Sequence, residues 1–199
     1  MKIVIKNKKD LEFFYKLIPL YKSFIFKLIY FELNEDLFKV GSIIKTLNIK
    51  NRKKRITFIY DFVCNEIDKS VDGKNICGFE DNKCYAQREP YNNKSNGCCR
   101  LCLYQNPSGC ETKNLSCKFY FCSDVLKRRK VLNFDDFKIL KCFTIRQRIL
   151  LKHNYFSAKK EIINDLYIGV LTIGTIRILY RNIRNLIVLK KGKSYVKNF

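Results

Sequence analysis

Residues 77–122 read CGFEDNKCYAQREPYNNKSNGCCRLCLYQNPSGCETKNLSCKFYFC, and they hold eight of the ten cysteines in the chain. A stretch this rich in thiols and this poor in long apolar runs buries too little surface to fold by hydrophobic packing. A coordinate or covalent cross-link has to hold it. Four thiolates satisfy one tetrahedral zinc, so Cys77, Cys84, Cys98, Cys99, Cys102, Cys110, Cys117 and Cys122 suit two ions.

The clearest ligand pair is Cys99-Arg-Leu-Cys102, where two intervening residues let a tight turn aim both thiolates at one ion. Cys117 and Cys122 make an acceptable second half, giving Cys99, Cys102, Cys117 and Cys122 as one site. Cys98 points away from Cys99 if the backbone there is extended, which assigns it to a second site with Cys77, Cys84 and Cys110. Asn96-Gly97 and Pro107-Ser108-Gly109 supply turns for such ligands. Zinc, one or two ions, is the first reading. An iron–sulfur cluster is the alternative, although the spacing of bacterial ferredoxins is missing. Disulfides come third.

Compartment decides between these. MKIVIKNKKDLEFFYKL at the start has neither a clean apolar stretch nor a small-residue cleavage site, so no signal peptide is expected. Residues 17–33 are interrupted by Lys22, Lys27 and Glu32, and residues 166–176 meet Arg177. Neither provides the ~20 apolar residues a membrane span needs. The expected location is cytoplasmic, where thiols stay reduced and clustered cysteines bind metal.

Working outward, 40 Lys and Arg against 18 Asp and Glu give a formal charge of +22. Abundant Lys, Ile, Asn, Phe and Tyr reflect in part a coding bias, which explains neither the shortage of acids nor the Arg clusters. A field of this sign favours polyanions, with nucleic acid (DNA or RNA) first and an anionic membrane surface second.

The flanks are helical by periodicity. Lys2 to Lys6 reads as a short strand. Asp10 is the expected cap of a helix carrying Leu11, Phe14, Ile18 and Tyr21, which Pro19 should kink or split. Asn34 should cap a second helix (Leu37, Val40, Ile44, Leu47), and a third carries Ile56, Ile59, Val63 and Ile67. Between them lies the basic run Lys50 to Arg55. The outline is that of a helix-turn-helix, but the apolar positions of its second helix come too late for that packing. The reading is therefore two core helices joined by a solvated basic loop.

Beyond Cys122, Asn133 should cap a helix with Asp135 and Asp136 in its first turn. The stripe Ile139, Cys142, Ile145 and Ile149 marks its buried face. Ser157 should cap the next helix, with Ile162, Ile163, Leu166 and Val170 as its apolar side. From Thr175 two lines run together: Ile176, Leu179, Ile183 and Ile187 at helical spacing, and Arg177, Arg181, Arg184 and Lys191 about one position round, a basic face for phosphates or lipid. Cys64 and Cys142 read as core thiols.

Enzyme readings are thin. His153 is the single histidine, and a Cys142–His153 pair on one helix would sit ~16 Å apart along its axis. No Gly-rich phosphate loop and no deaminase signature is present. No catalytic residue and no small-molecule substrate is assigned.

The expected architecture is mainly α, or α+β. It comprises an N-terminal helical part (1–68), an inserted loop-rich, Cys-rich metal-binding module (69–124), and a basic C-terminal helical part (125–199). The nucleic-acid contacts fall to Arg52, Lys53, Lys54, Arg55, Arg128, Arg129, Arg177, Arg181 and Arg184. Tyr85, Tyr91, Tyr104, Phe119 and Tyr120 interleave with basic residues and are either base-stacking or packing groups. The function expected from sequence is zinc-stabilised, non-catalytic nucleic-acid binding. A redox protein built on an iron–sulfur cluster is the alternative.

Overall fold

A computed structural model describes residues 2–21, 30–33, 37–71, 77–78, 80, 105–106, 109–110, 114–121, 123–128, 130–155 and 157–191. These residues are mainly helical. Strand β1 (Lys2–Ile5) leads into helix α1 (Lys8–Tyr21), and β2 (Tyr30–Leu33) pairs with β1 in parallel, Lys2 opposite Tyr30. Helices α2 (Leu37–Asn48) and α3 (Arg52–Val71) follow. A two-residue ladder joins β3 (Gln105–Asn106) to β4 (Gly109–Cys110). The short α4 (Leu115–Lys118) and α5 (Ser123–Arg128) precede two 3-10 turns, Phe134–Asp136 and Lys138–Cys142. Then come α6 (Ile145–His153), α7 (Lys159–Ile168) and α8 (Leu171–Lys191).

Helix α3 is the spine. Its stripe Ile56, Ile59, Tyr60, Val63 and Ile67 is buried, as its helical spacing predicts. It packs on α2, α4, α7 and the Lys138–Cys142 turn. Phe14 and Ile18 of α1, Val40 and Ile43 of α2, Leu150 and Leu151 of α6, and Ile162 and Leu166 of α7 complete one core. N-terminal and C-terminal segments thus share a single apolar interior, as the sequence suggests. Cys64 and Cys142 lie inside it. Burial pushes the Cys64 thiol up to about 12, so it stays protonated, a poor state for a metal ligand.

The helix starts differ from expectation because short polar side chains compete for them. Asn7, not Asp10, caps α1: its side-chain oxygen accepts the Asp10 N–H at 3.0 Å, and the Asp10 carboxylate reaches back to the Lys6 N–H. Pro19 does not split α1, which ends two residues later, where few downstream hydrogen bonds remain to be lost. Asn34 lies outside the described residues. Asn133 starts only a 3-10 turn. Helix α6 begins instead at Thr144, whose hydroxyl accepts the Gln147 N–H at 3.1 Å while the Gln147 side chain accepts the Thr144 N–H at 2.9 Å. Ser157 is buried and spends its hydroxyl on Asn154; α7 starts one residue later, with the Glu161 carboxylate on the Ala158 N–H. Gly169 ends α7 in the left-handed region at φ 67°, a conformation that favours glycine.

The C-terminal helix carries two lines, and the structure decides which faces the body. Ile176, Leu179, Ile183 and Ile187 are exposed, Ile176 by 67%. The side facing the body is Gly174, Ile178 and Arg181. A Cβ at Gly174 would lie 2.4 Å from Leu150 Cδ2, so a larger residue there would push the Leu150 side chain out of its place. Ile145 and Ile149, expected on a buried face, are exposed, and Val170 is exposed as well. The cause is a buried carboxylate. Asp165 of α7 is 2% exposed and draws Arg181 and Arg177 onto it, which turns the apolar line of α8 outward.

Candidate functional site

Two assemblies bear on function: the opening turn of α3 and the anchor of the cysteine-rich stretch. At the first, the Asn51 side chain accepts the Lys54 N–H and its carbonyl accepts the Arg55 N–H, both at 2.9 Å, so the segment expected to be a basic loop is the first turn of a helix. That turn reads Arg52-Lys53-Lys54-Arg55 and contains no acid. Cations are unfavourable at a helix N-terminus, where the dipole is already positive and the free N–H groups attract anions. Lys53 and Lys54 are exposed. Arg52 lies over the Tyr167 ring, 5.5 Å from its centroid, beside the carbonyl end of α7.

Arg55 departs from the reading of a solvated cation. It is only 7% exposed and has no carboxylate or hydrogen-bond partner for its guanidinium among the described residues. With Arg52, Cys142, Gln147 and apolar neighbours it lines a crevice of about 10 Å³, the room of one water-sized sphere. Burial lowers its pKa; Cys142 opposes that fall and Arg52 adds to it. No Arg55 nitrogen is among the fully buried side-chain atoms left without a partner, so the charge keeps a share of water. Arg55→Met is therefore expected to stabilise the fold only slightly, by up to about 1 kcal/mol, read as a higher urea midpoint with unchanged slope.

The second assembly fixes α4, at the end of the cysteine-rich stretch. Asn114 is buried; its amide donates to the carbonyls of Asn154 (2.8 Å) and Ser157 (2.9 Å), and its oxygen accepts the Cys117 N–H (3.0 Å). The Leu115 N–H donates to the Tyr60 hydroxyl at 2.9 Å, Ser116 to the Leu151 carbonyl, and Lys118 pairs with Asp68. Burial and the nearby Cys64 raise the Tyr60 pKa, so its phenol stays neutral and keeps that acceptor role. Burial, with Cys117 adding to it, raises Tyr155 as well.

The expected ligands divide as follows. Cys84, Cys98, Cys99, Cys102 and Cys122 lie outside the described residues. Cys110 is described only as backbone of β4, and Cys77 and Cys117 are half-buried. Among the described residues no three Cys, His, Asp or Glu side chains converge on one point.

Of the expected basic contacts, Arg129 lies outside the described residues, and Arg128 and Arg184 are exposed. Arg181 is held in the body, its side chain 14% exposed against Asp165, and Arg177 meets the same carboxylate at 3.4 Å. Phe119 packs between Phe134 and Phe137 rather than facing solvent, and Tyr120 meets Tyr155 edge-on. Tyr85, Tyr91 and Tyr104 lie outside the described residues. His153 ends α6 at the surface, and no described helix is long and apolar enough to cross a membrane. No family model matches the chain, and neither a curated protein nor a solved structure matches it.

Proposed function

We propose that the chain is a non-catalytic, zinc-stabilised protein that binds nucleic acid through the opening turn of α3. The observation carrying this reading is the acid-free sequence Arg52 to Arg55 at a helix N-terminus, with the buried Arg55, which has no carboxylate partner among the described residues, behind the exposed Lys53 and Lys54. A phosphate seated there meets free N–H groups, the helix dipole and several cations at once. Exposed Arg128, with Lys127 and Lys130 near it in sequence, adds positive field, and the net +22 draws any polyanion in.

Oligonucleotide binding is expected to weaken steeply with salt. Lys53→Gln and Lys54→Gln should each lower the slope of log affinity against log salt by about 1. Arg55→Met should weaken binding while raising stability. Binding that is indifferent to salt, or unchanged in all three variants, overturns the assignment.

Metal is the second component of the proposal. Anaerobically purified protein is expected to be colourless and to carry one or two zinc ions per chain. Chelation should then loosen the cysteine-rich stretch ahead of the Asn114 anchor while the helical circular dichroism of the body persists. A brown protein would reassign the thiolates to an iron–sulfur cluster, and a metal-free folded protein would remove the metal altogether.

A further inference from the structure

Helix α8 meets the body through its narrow side and presents its large apolar side chains to solvent. Ile173, Ile176, Leu179, Tyr180, Ile183 and Ile187 are 44%, 67%, 58%, 66%, 48% and 49% exposed, and they lie about half a turn from Gly174, Ile178 and Arg181. One unpartnered isoleucine is ordinary, but a continuous line of six along a helix ~30 Å long marks a docking surface.

Charge identifies the occupant. No Asp or Glu follows Asp165 in the sequence, while Arg177 and Arg184 edge the apolar line and Lys190, Lys191, Lys193 and Lys197 come after it. A second copy of this chain would bring cations to an edge with no carboxylate to answer them. A nucleic acid would leave the isoleucines in water. An anionic bilayer satisfies both halves: acyl chains receive the apolar line, headgroup phosphates receive the arginines, and Tyr180 suits the boundary between them. We infer that α8 docks in the plane of an anionic phospholipid membrane, apolar line down, as a surface contact and not a span.

The test is flotation of the full chain with vesicles of phosphatidylcholine alone or containing phosphatidylserine. Wild type should float with the anionic vesicles only. Ile176→Gln combined with Ile183→Gln should weaken binding roughly 30-fold. The same variant should keep the wild-type melting curve and its oligonucleotide affinity, so failure here is distinguishable from failure of the α3 assignment. If that variant melts early, Leu179→Gln replaces it under the same criterion, with a smaller expected loss. Absence of flotation overturns the inference, as does flotation undiminished by the glutamines. So does a wild-type dimer that the glutamines split while no vesicle is bound.

Discussion

Asp165→Ala is expected to lower unfolding stability by about 3–5 kcal/mol, the largest loss anticipated for a single polar side chain in this molecule. The carboxylate is 2% exposed and answers three groups: Arg181, Arg177 at 3.4 Å, and the Asn154 amide at 3.2 Å. Removing it leaves the Arg181 guanidinium, whose Nε already has no partner, with the neutral Asn154 Oδ1 at 3.3 Å in place of a carboxylate. The cost comes chiefly from that unneutralised charge, not from the value of the pair. Asp165→Asn keeps the shape and some hydrogen bonding but not the charge, and should fall between. Urea unfolding followed by circular dichroism measures all of this. Adding Arg181→Met to Asp165→Ala should recover part of the loss, a coupling that a double-mutant cycle detects. A loss below about 1 kcal/mol would place the pair with ordinary surface ion pairs, and the orientation of α8 would need another cause.

That orientation is what the sequence leaves open, and the reason is physical. Period and spacing locate α8 correctly, because its apolar residues recur every three or four positions whichever way they face. They do not say which of two stripes faces inward. The usual assumption, apolar side in, loses here to one buried carboxylate, 12 and 16 residues before the two arginines it claims. A hint was present: Gly174 and Ile178 line up with Arg181, and glycine in mid-helix often signals close approach of a neighbouring element.

The α3 stripe was legible because Ile56, Ile59, Val63 and Ile67 are all β-branched aliphatics at helical spacing and no buried acid among the described residues of α3 competes for its polar side. The basic run beside it was legible as a cluster but not as a helix turn, since its cap, Asn51, is embedded in the charges. Thr144-Ile-Arg-Gln147 is a plain capping-box sequence and gave a usable signal for the start of α6; the expected helix from Asn133 obscured it. Asn114 and Asn154 sit in loops with no periodicity to expose them, and their roles come only from the fold.

Those two asparagines make the second large prediction. Asn114→Ala is expected to cost about 2–4 kcal/mol. It orphans the Asn154 and Ser157 carbonyls and the Cys117 N–H, in a place where water has little access. Asn114→Asp separates the contributions. It retains an acceptor for Cys117 but turns a second carboxylate oxygen toward two carbonyls, so it should be at least as damaging as alanine despite being nearly isosteric. Urea midpoints rank the pair. An aspartate variant close to wild type would mean that the amide donors carry little of the load. The Asn154 carbonyl receives Asn114, and its side chain donates to Asp165, so one chain of polar contacts runs from the foot of the cysteine-rich stretch to α8. Such a chain couples its ends. Asn114→Ala and Asp165→Ala combined should therefore destabilise by less than the sum of the two, because each already loosens Asn154. Strict additivity would mean that the anchor of α4 and the seat of α8 are independent.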